Sequence, residues 1–489
     1  MAETKKKKII FWPDVYKEQG HWLPTLAWAE YIHNTYGDKF VVEYMGIEDC
    51  REIVENYILD DGTKFNFHSI LTNIYPKGYT NQVMTTPGTR WKTDHIWALA
   101  HAGFDNDSSR EKAGASKESL IYKDACAFNK LWRDTIKKDT SEVLVVGGYF
   151  TALELLIMHY FRNKKAFKVD GLRFAISTTY LRHPEEDPAT HALQNLQAFS
   201  DEQQKKLFNM VKNDKCSDLF KDPNISQEDF VTPISDFHEF IPCVKTLDYA
   251  HYDHGPKVHY VEPCITKELG TIDDVSADID WTGENGILNT YDKIIFVTAG
   301  SQILDYKDKA LILFKSIIDA MQYSDMEGYH LILCAGSTLA QELKADYNNV
   351  TICGWAPQRT ILTTLATEKH KGSCAIIHGG LATIKECIYC NVPFLVLPLG
   401  KDQMDNALRL EDYGLNNYFY IEFIKPKCLL YFINQILQDY VTLSNLAALS
   451  QEFHIAEEAH AGAEYIAELA DTGKIAEFDD APEEGTDSD

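Results

Sequence analysis

The 489-residue chain has no apolar run of the length a membrane span needs, and nothing after its N-terminal lysines has the form of a secretory signal. The expected location is therefore the cytoplasm. Basic residues are scarce, 47 against 73 acids, for a formal net charge of −26. That balance excludes nucleic acid as a partner, since phosphates need a basic footprint, and disfavours an anionic membrane surface. Lys5 to Lys8 is a local exception and reads as a solvated end before the first strand. The eleven cysteines are scattered, and their odd count suits reduced thiols better than a disulfide framework. Cys387 and Cys390 stand at Cys-x-x-Cys spacing, yet no second pair at zinc spacing accompanies them. No metal or other cofactor is expected. The last stretch, Glu477 to Asp489, holds seven acids and no base and reads as a solvated, disordered tail.

What is present is enough apolar material for two domains with full cores: 45% hydrophobic residues, 12% aromatic. The most informative stretch is Ile376 to Asn406. The apolar run Cys374 to Ile377 stops at His378-Gly379-Gly380, a helix-compatible segment runs from Leu381 to Cys390, and Pro393 to Leu397 is apolar again. This is a strand, glycine turn, helix and strand. The glycines let backbone approach a ligand, and the helix behind them aims free N–H groups and a positive dipole end at the same point, which suits a phosphate. His378 adds a donor, Thr383 a hydroxyl, and Glu386 an acceptor for a ribose diol. Asp402 and Gln403 fall on the loop after the second strand, beside the crevice where open parallel sheets bind ligands.

Trp355-Ala356-Pro357-Gln358, His378-Gly379-Gly380, Glu386, Asn391-Val392-Pro393, Pro398 and Asp402-Gln403 together resemble the nucleotide-sugar signature of the UDP-glycosyltransferases, the family 1 glycosyltransferases. The resemblance is sharp in the last two fifths of the chain and faint before it, apart from Gly20-His21. It implies the GT-B fold: two facing Rossmann-like α/β domains with parallel sheets and an inter-domain cleft. It also implies roles. Trp355 and Gln358 would hold the nucleoside, Glu386 the ribose, and Asp402 and Gln403 the sugar hydroxyls. His378, Gly380, Thr383 and Ser301, the last in a small-residue turn after the strand Ile294 to Thr298, would hold the pyrophosphate, with His378 helping to neutralise it. Asp402-Gln403 resembles the glucose-preferring form, so UDP-glucose is the expected donor.

In the N-terminal half, Ile9 to Trp12 reads as a strand, and Trp22 to Tyr36 as an amphipathic helix with Trp22, Leu26 and Ala29 on one face. His21 sits at the mouth of that helix. Alone it reads as a cap or packed loop residue. In the family, Gly-His after the first strand is similar to the catalytic base, and an imidazole can take the acceptor's hydroxyl proton near neutral pH. The family's usual aspartate partner for this histidine is missing: the strand Glu142 to Val146 ends in Gly147-Gly148-Tyr149-Phe150. Either another acid reaches His21 or the mechanism runs without one. No chemistry is assigned to Cys50 through Arg133. The aromatic-rich stretch His183 to Tyr260 either builds the acceptor pocket or packs the core. The triplets Asp105 to Asp107 and Asp278 to Asp280 read as surface acids.

The expected organisation is an acceptor-binding domain over residues 1–262, a linker over 263–290, a nucleotide-sugar domain over 291–443, a helix over 444–470 returning to the first domain, and an acidic tail over 471–489. The expected activity is metal-independent, inverting transfer of a hexose from a UDP-sugar to a hydroxyl of a small lipophilic acceptor. Two alternatives stay open: a UDP-sugar epimerase of the same architecture, and a non-catalytic UDP-sugar-binding homologue.

Overall fold

The structure, a computed structural model, describes residues 5–80, 93–104, 106–138, 140, 142–164, 167, 169, 171–212, 225–265, 267, 276, 278–300, 303–343, 347–415 and 417–479. Two compact units emerge. The first comprises Met1–Pro242, Tyr252–Cys264 and His460–Asp489; the second comprises Cys243–His251 and Ile265–Ala459.

The first unit is built on β1 (Lys7–Trp12), β2 (Phe40–Gly46), β3 (Asn66–Ser69), β4 (Val143–Gly148), β5 (Arg173–Ser177), β6 (His238–Ile241) and β7 (Val258–Tyr260). They form one sheet in the order β3-β2-β1-β4-β5-β6-β7, parallel throughout. Parallel strands covered on both faces need continuous apolar runs rather than alternation, and Ile9 to Trp12 are fully buried accordingly. Chain order reverses between β1 and β4, where Trp12 pairs with Gly147. A ligand-binding crevice forms beyond the strand ends at such a reversal. Lys5 and Lys6 are exposed, as a solvated end requires, but the rest of the basic run is not. β1 begins at Lys7, and Lys8 is buried with its Nζ 3.2 Å from Glu43 Oε2.

The second unit carries β8 (Lys293–Thr298), β9 (Tyr329–Cys334), β10 (Val350–Cys353), β11 (Cys374–Ile377) and β12 (Phe394–Val396). Their order is β10-β9-β8-β11-β12, again all parallel. The reversal here lies between β8 and β11, with Thr298 opposite Ile377. Each unit thus places its informative loops at the same topological point.

The helices that frame these loops and close the chain are α1 (Gln19–Tyr36), α2 (Ala152–Phe161), α3 (Lys307–Ala320), α4 (Gln358–Leu365), α5 (Leu381–Tyr389), α6 (Gln403–Tyr413), α7 (Tyr440–Ala459) and α8 (Ala461–Thr472). α3 packs Leu313, Phe314 and Ile317 into the core of the second sheet. The long C-terminal helix expected over 444–470 is two helices. His460 adopts φ +50° and breaks the run, and the buried Glu262 carboxylate accepts from the N–H groups of Gly462 (2.6 Å) and Ala463 (3.2 Å), capping α8. Further on, Phe478 packs its ring 4.2 Å from that of His259. The rest of the acidic tail, 480–489, lies outside the described residues.

Candidate functional site

The first unit supplies an acid–imidazole pair. α1 starts at Gln19 with Glu18 as its N-cap, so His21 stands inside the first helical turn rather than ahead of it, its N–H donating to Glu18 O at 2.9 Å. Asp14, in the loop after β1, places Oδ2 2.6 Å from His21 Nδ1, while Oδ1 accepts from the Tyr16 N–H at 3.2 Å. Asp14 is buried at 2% exposure, whereas the His21 side chain keeps 16%. Burial pushes the Asp14 carboxyl above its ordinary range, with the His21 ring pulling the other way. With Asp14 ionised, Nδ1–H donates to Oδ2, and this leaves Nε2 as the basic nitrogen.

An acid therefore does reach His21, from the loop after β1 rather than from the end of β4. The glycines at the end of β4 make room for it. A Cβ at Gly148 would lie 1.6 Å from the Pro13 carbonyl oxygen, and one at Gly147 would lie 2.5 Å from Leu155 Cδ1 on α2. The chain from β1 passes over β4 so closely that no side chain fits there, and that passage delivers Asp14.

Aromatic rings flank the pair. Phe150 stands with its centroid 5.1 Å from the His21 ring and 6.0 Å from Tyr180, and Tyr149 packs 5.0 Å from Tyr180 and 4.6 Å from His191. A second buried polar chain joins two residues of the segment to which sequence assigned no chemistry, Tyr75 and His95, to Glu154 on α2. Tyr75 OH is 2.8 Å from His95 Nδ1, and His95 Nε2 is 2.5 Å from Glu154 Oε1, with His95 and Glu154 almost fully enclosed.

The second unit assembles most of the residues singled out for the nucleotide-sugar. Gly379 holds φ +94°, and a Cβ there would sit 2.9 Å from Val396 Cγ1 and 3.0 Å from Gln403 O, so the turn requires glycine. Gly380 serves a different purpose. A Cβ on it would lie 2.5 Å from His378 Nε2, and one on Gly300 would lie 2.6 Å from the same atom, so the imidazole edge fills a slot between two glycine backbones. Burial lowers the His378 pKa to about 4, which leaves a neutral hydrogen-bonding group at neutral pH rather than the cationic partner envisaged from sequence.

Gln358, the first residue of α4, reaches across to α5. Its Nε2 donates to Glu386 Oε2 and lies 3.4 Å from Thr383 Oγ1. Trp355 sits on the turn between β10 and α4, its N–H donating to Ser276 Oγ at 3.0 Å. Asp402 accepts from Asn406 Nδ2 at 2.9 Å, and the same amide donates to Gly379 O at 3.0 Å, tying the glycine turn to the start of α6. Gln403 is buried, and its Oε1 accepts from the N–H groups of Leu399 and Gly400 at 2.7 and 3.0 Å. Its carbonyl therefore holds the loop, and its amide N–H₂ is the part with capacity for a sugar hydroxyl. Ser301 lies outside the described residues, as does Asp105. Asp107, Asp278 and Asp280 are not buried, and Asp280 Oδ1 accepts from Gly283 N–H in a local turn.

Residues 340–456 match the sequence profile of the family described as UDP-glucoronosyl and UDP-glucosyl transferase. That segment, which holds Trp355 to Gln403, is the part of the chain similar to UDP-glycosyltransferases. A UDP-glycosyltransferase of Talaromyces amestolkiae is 25% identical over 162 residues, 29% of this chain and 30% of that protein. A Bacillus subtilis (strain 168) protein described as the uncharacterized UDP-glucosyltransferase YdhE is 24% identical over 162 residues, 33% of this chain and 38% of its own length. The chain thus aligns with about a third of the length of these curated relatives. Among solved structures, the glycotransferase of kitacinnamycin superposes with TM-score 0.61 at 16% identity, covering 96% of this chain and 99% of that one. CalG4, the calicheamicin glycosyltransferase, gives 0.55 at 14%, covering 96% and 100%. The fold is that of the GT-B glycosyltransferases, as the UDP-glycosyltransferase signature implied.

Sequence reasoning missed Asp14, whose signal was an acid seven residues before the histidine within one strand-to-helix turn. It also missed Arg409, fully buried on α6 with Nε 2.7 Å from Asp248 Oδ1. Among the described residues, Asp14, Glu18 and His21 bring three possible metal-ligand atoms within 4.8 Å of one another. Asp14 Oδ2 is already committed to His21. No described cysteine is in a disulfide, and Cys387 and Cys390 are both buried. No helix of the described residues is long and apolar enough to cross a membrane.

Proposed function

We propose that the protein transfers a hexose, glucose first, from a UDP-sugar to a hydroxyl of a small lipophilic acceptor, by a single inverting displacement without a metal. The observation that carries the reading is the Asp14–His21 pair. An imidazole held by a buried carboxylate at Nδ1, with Nε2 as the basic edge, is what deprotonating an attacking hydroxyl requires. A non-catalytic binder has no use for an acid–base pair, and the apolar rings of Phe150 and Tyr180 beside it suit an acceptor better than the sugar alone that an epimerase would handle. Those rings favour a flat or apolar acceptor. The UDP-glucosyl and UDP-glucuronosyl names of the matched family and relatives support a uridine donor.

In the second unit, Trp355 would stack on uracil, the Gln358–Glu386 pair would meet the ribose, and the N-terminal turn of α5 with neutral His378 and Thr383 would hydrogen-bond the leaving diphosphate. Asp402 and the Gln403 amide would hold sugar hydroxyls. Proton balance is simple: the acceptor proton moves to His21 Nε2 as the acceptor oxygen bonds to the anomeric carbon and UDP departs. The test is UDP release from UDP-glucose with phenols, flavonoids and sterols as acceptors, run on wild type and His21→Ala. Acceptor-dependent release that collapses by roughly 10³ or more in the variant is the expected result. Release that persists in His21→Ala removes the base, and epimerised sugar formed without acceptor establishes the isomerase instead.

A further inference from the structure

His21 has a carboxylate near each ring nitrogen. Asp14 holds Nδ1, and on the opposite edge Glu18 Oε2 lies 3.9 Å from Nε2, the atom that must receive the proton. Glu18 is the N-cap residue of α1, yet its side chain makes no capping hydrogen bond. Its carboxylate is left to the imidazole edge. The location gives it something to do. His21 stands in the first turn of an 18-residue helix, where the positive dipole end disfavours an imidazolium. A base that must become a cation during each turnover needs that penalty offset.

Phe150 is uncharged, Tyr16 contributes its backbone to Asp14, and the nearest cation in sequence, Lys17, is engaged by Glu52 at 2.7 Å. Cys50 is a buried thiol that interacts with Asp14, and burial keeps it protonated.

Building on the reading of His21 as the base, we propose that Glu18 is a positioning residue for the proton transfer: its carboxylate stabilises the proton on His21 Nε2 and sets the pH below which the base is lost. The two acids then divide the work. Asp14, buried, fixes tautomer and orientation; Glu18, with a side-chain exposure of 27%, supplies a field that salt can screen. A unit charge at this range in partly wet surroundings shifts a neighbouring group by about 0.5–1 pH unit.

Removing the Glu18 charge makes the imidazolium less stable, so His21 holds its proton less tightly and titrates at lower pH. The experiment is an NMR titration of the His21 imidazole in the full chain carrying labelled histidine, for wild type, Glu18→Gln and Glu18→Asp, at low and high sodium chloride. The acid limb of kcat/KM is followed in parallel with UDP-glucose and a simple phenol. Glu18→Gln is expected to lower the His21 midpoint and the acid limb together by about 0.5–1 unit. Glu18→Asp should fall between, and high salt should move wild type toward Glu18→Gln while leaving the variant still. A midpoint unchanged or raised in Glu18→Gln, or a wild-type midpoint indifferent to salt, overturns the inference. The imidazole titration does not depend on turnover, so a negative answer for Glu18 is distinct from a failure of the base, which His21→Ala reports.

Discussion

The two units carry their candidate chemistry at the same topological point and build it in opposite ways. In the second unit the site's side chains are seated by local backbone: a left-handed Gly379, the slot between Gly300 and Gly380, and the N-terminal turns of α4 and α5. In the first the site is made of side chains, Asp14 against His21, brought together by where the Pro13 carbonyl crosses Gly148. Backbone sites leave a local imprint, because glycine is needed wherever φ is positive or a Cβ would collide. A side-chain pair leaves almost none, since any acid on a suitable loop will serve.

Three substitutions or titrations would sharpen that contrast. The largest effect is expected at Gly148→Ala. Its Cβ would meet a backbone oxygen rather than a flexible side chain, so the loop after β1 must move or β4 must yield, at a cost of about 3 kcal/mol. Thermal stability should fall and turnover should fall roughly 10²-fold or more as Asp14 leaves His21, with UDP-glucose affinity unchanged. Normal turnover in a stable Gly148→Ala protein would show that the passage of Pro13 does not govern the pair. Next is Gly379→Ala, which forces an L side chain to φ +94° against Val396 and Gln403 O. UDP-glucose affinity, measured calorimetrically, should weaken about tenfold, while the Asp14–His21 pair keeps its titration behaviour. Unaltered affinity would argue that the glycine turn does not hold the donor.

The smallest expected effect contrasts the two histidines. His378 has its folded pKa depressed to about 4, so its neutral form persists on acidification until pH approaches that value. UDP-glucose affinity should therefore stay flat between about pH 8 and 5.5, while kcat/KM declines over the same range as His21 gains its proton. An affinity that titrates in step with turnover would place the critical protonation in the donor half instead.

The same contrast explains what the sequence disclosed. The runs Ile9 to Trp12, Ile294 to Thr298 and Cys374 to Ile377 are legible because parallel strands buried on both faces are uniformly apolar. The strand-turn-helix of His378 to Tyr389 is legible because its glycines and helix start are local. Lys8 was misread for the converse reason: its burial depends on Glu43, a residue on the neighbouring strand. The break at His460 was hidden because its cause is Glu262, some two hundred residues earlier, whose carboxylate caps α8. Asp14 belongs to the same class. The gap at Gly147 was visible in the sequence, but the residue that fills it was not, because the two strands pair only in the folded sheet. The buried Tyr75–His95–Glu154 chain likewise joins three distant segments and shows no pattern in any of them.

The proposed role of Asp14 is to hold His21 as the base for glycosyl transfer. It is tested most directly by Asp14→Asn, which preserves shape and removes the charge that fixes the imidazole. With an acceptor that supports UDP release in wild type, kcat should fall by roughly 10²–10⁴ while UDP-glucose affinity holds. Full turnover in a folded Asp14→Asn protein would contradict the account and move the search for the base's partner elsewhere in the molecule.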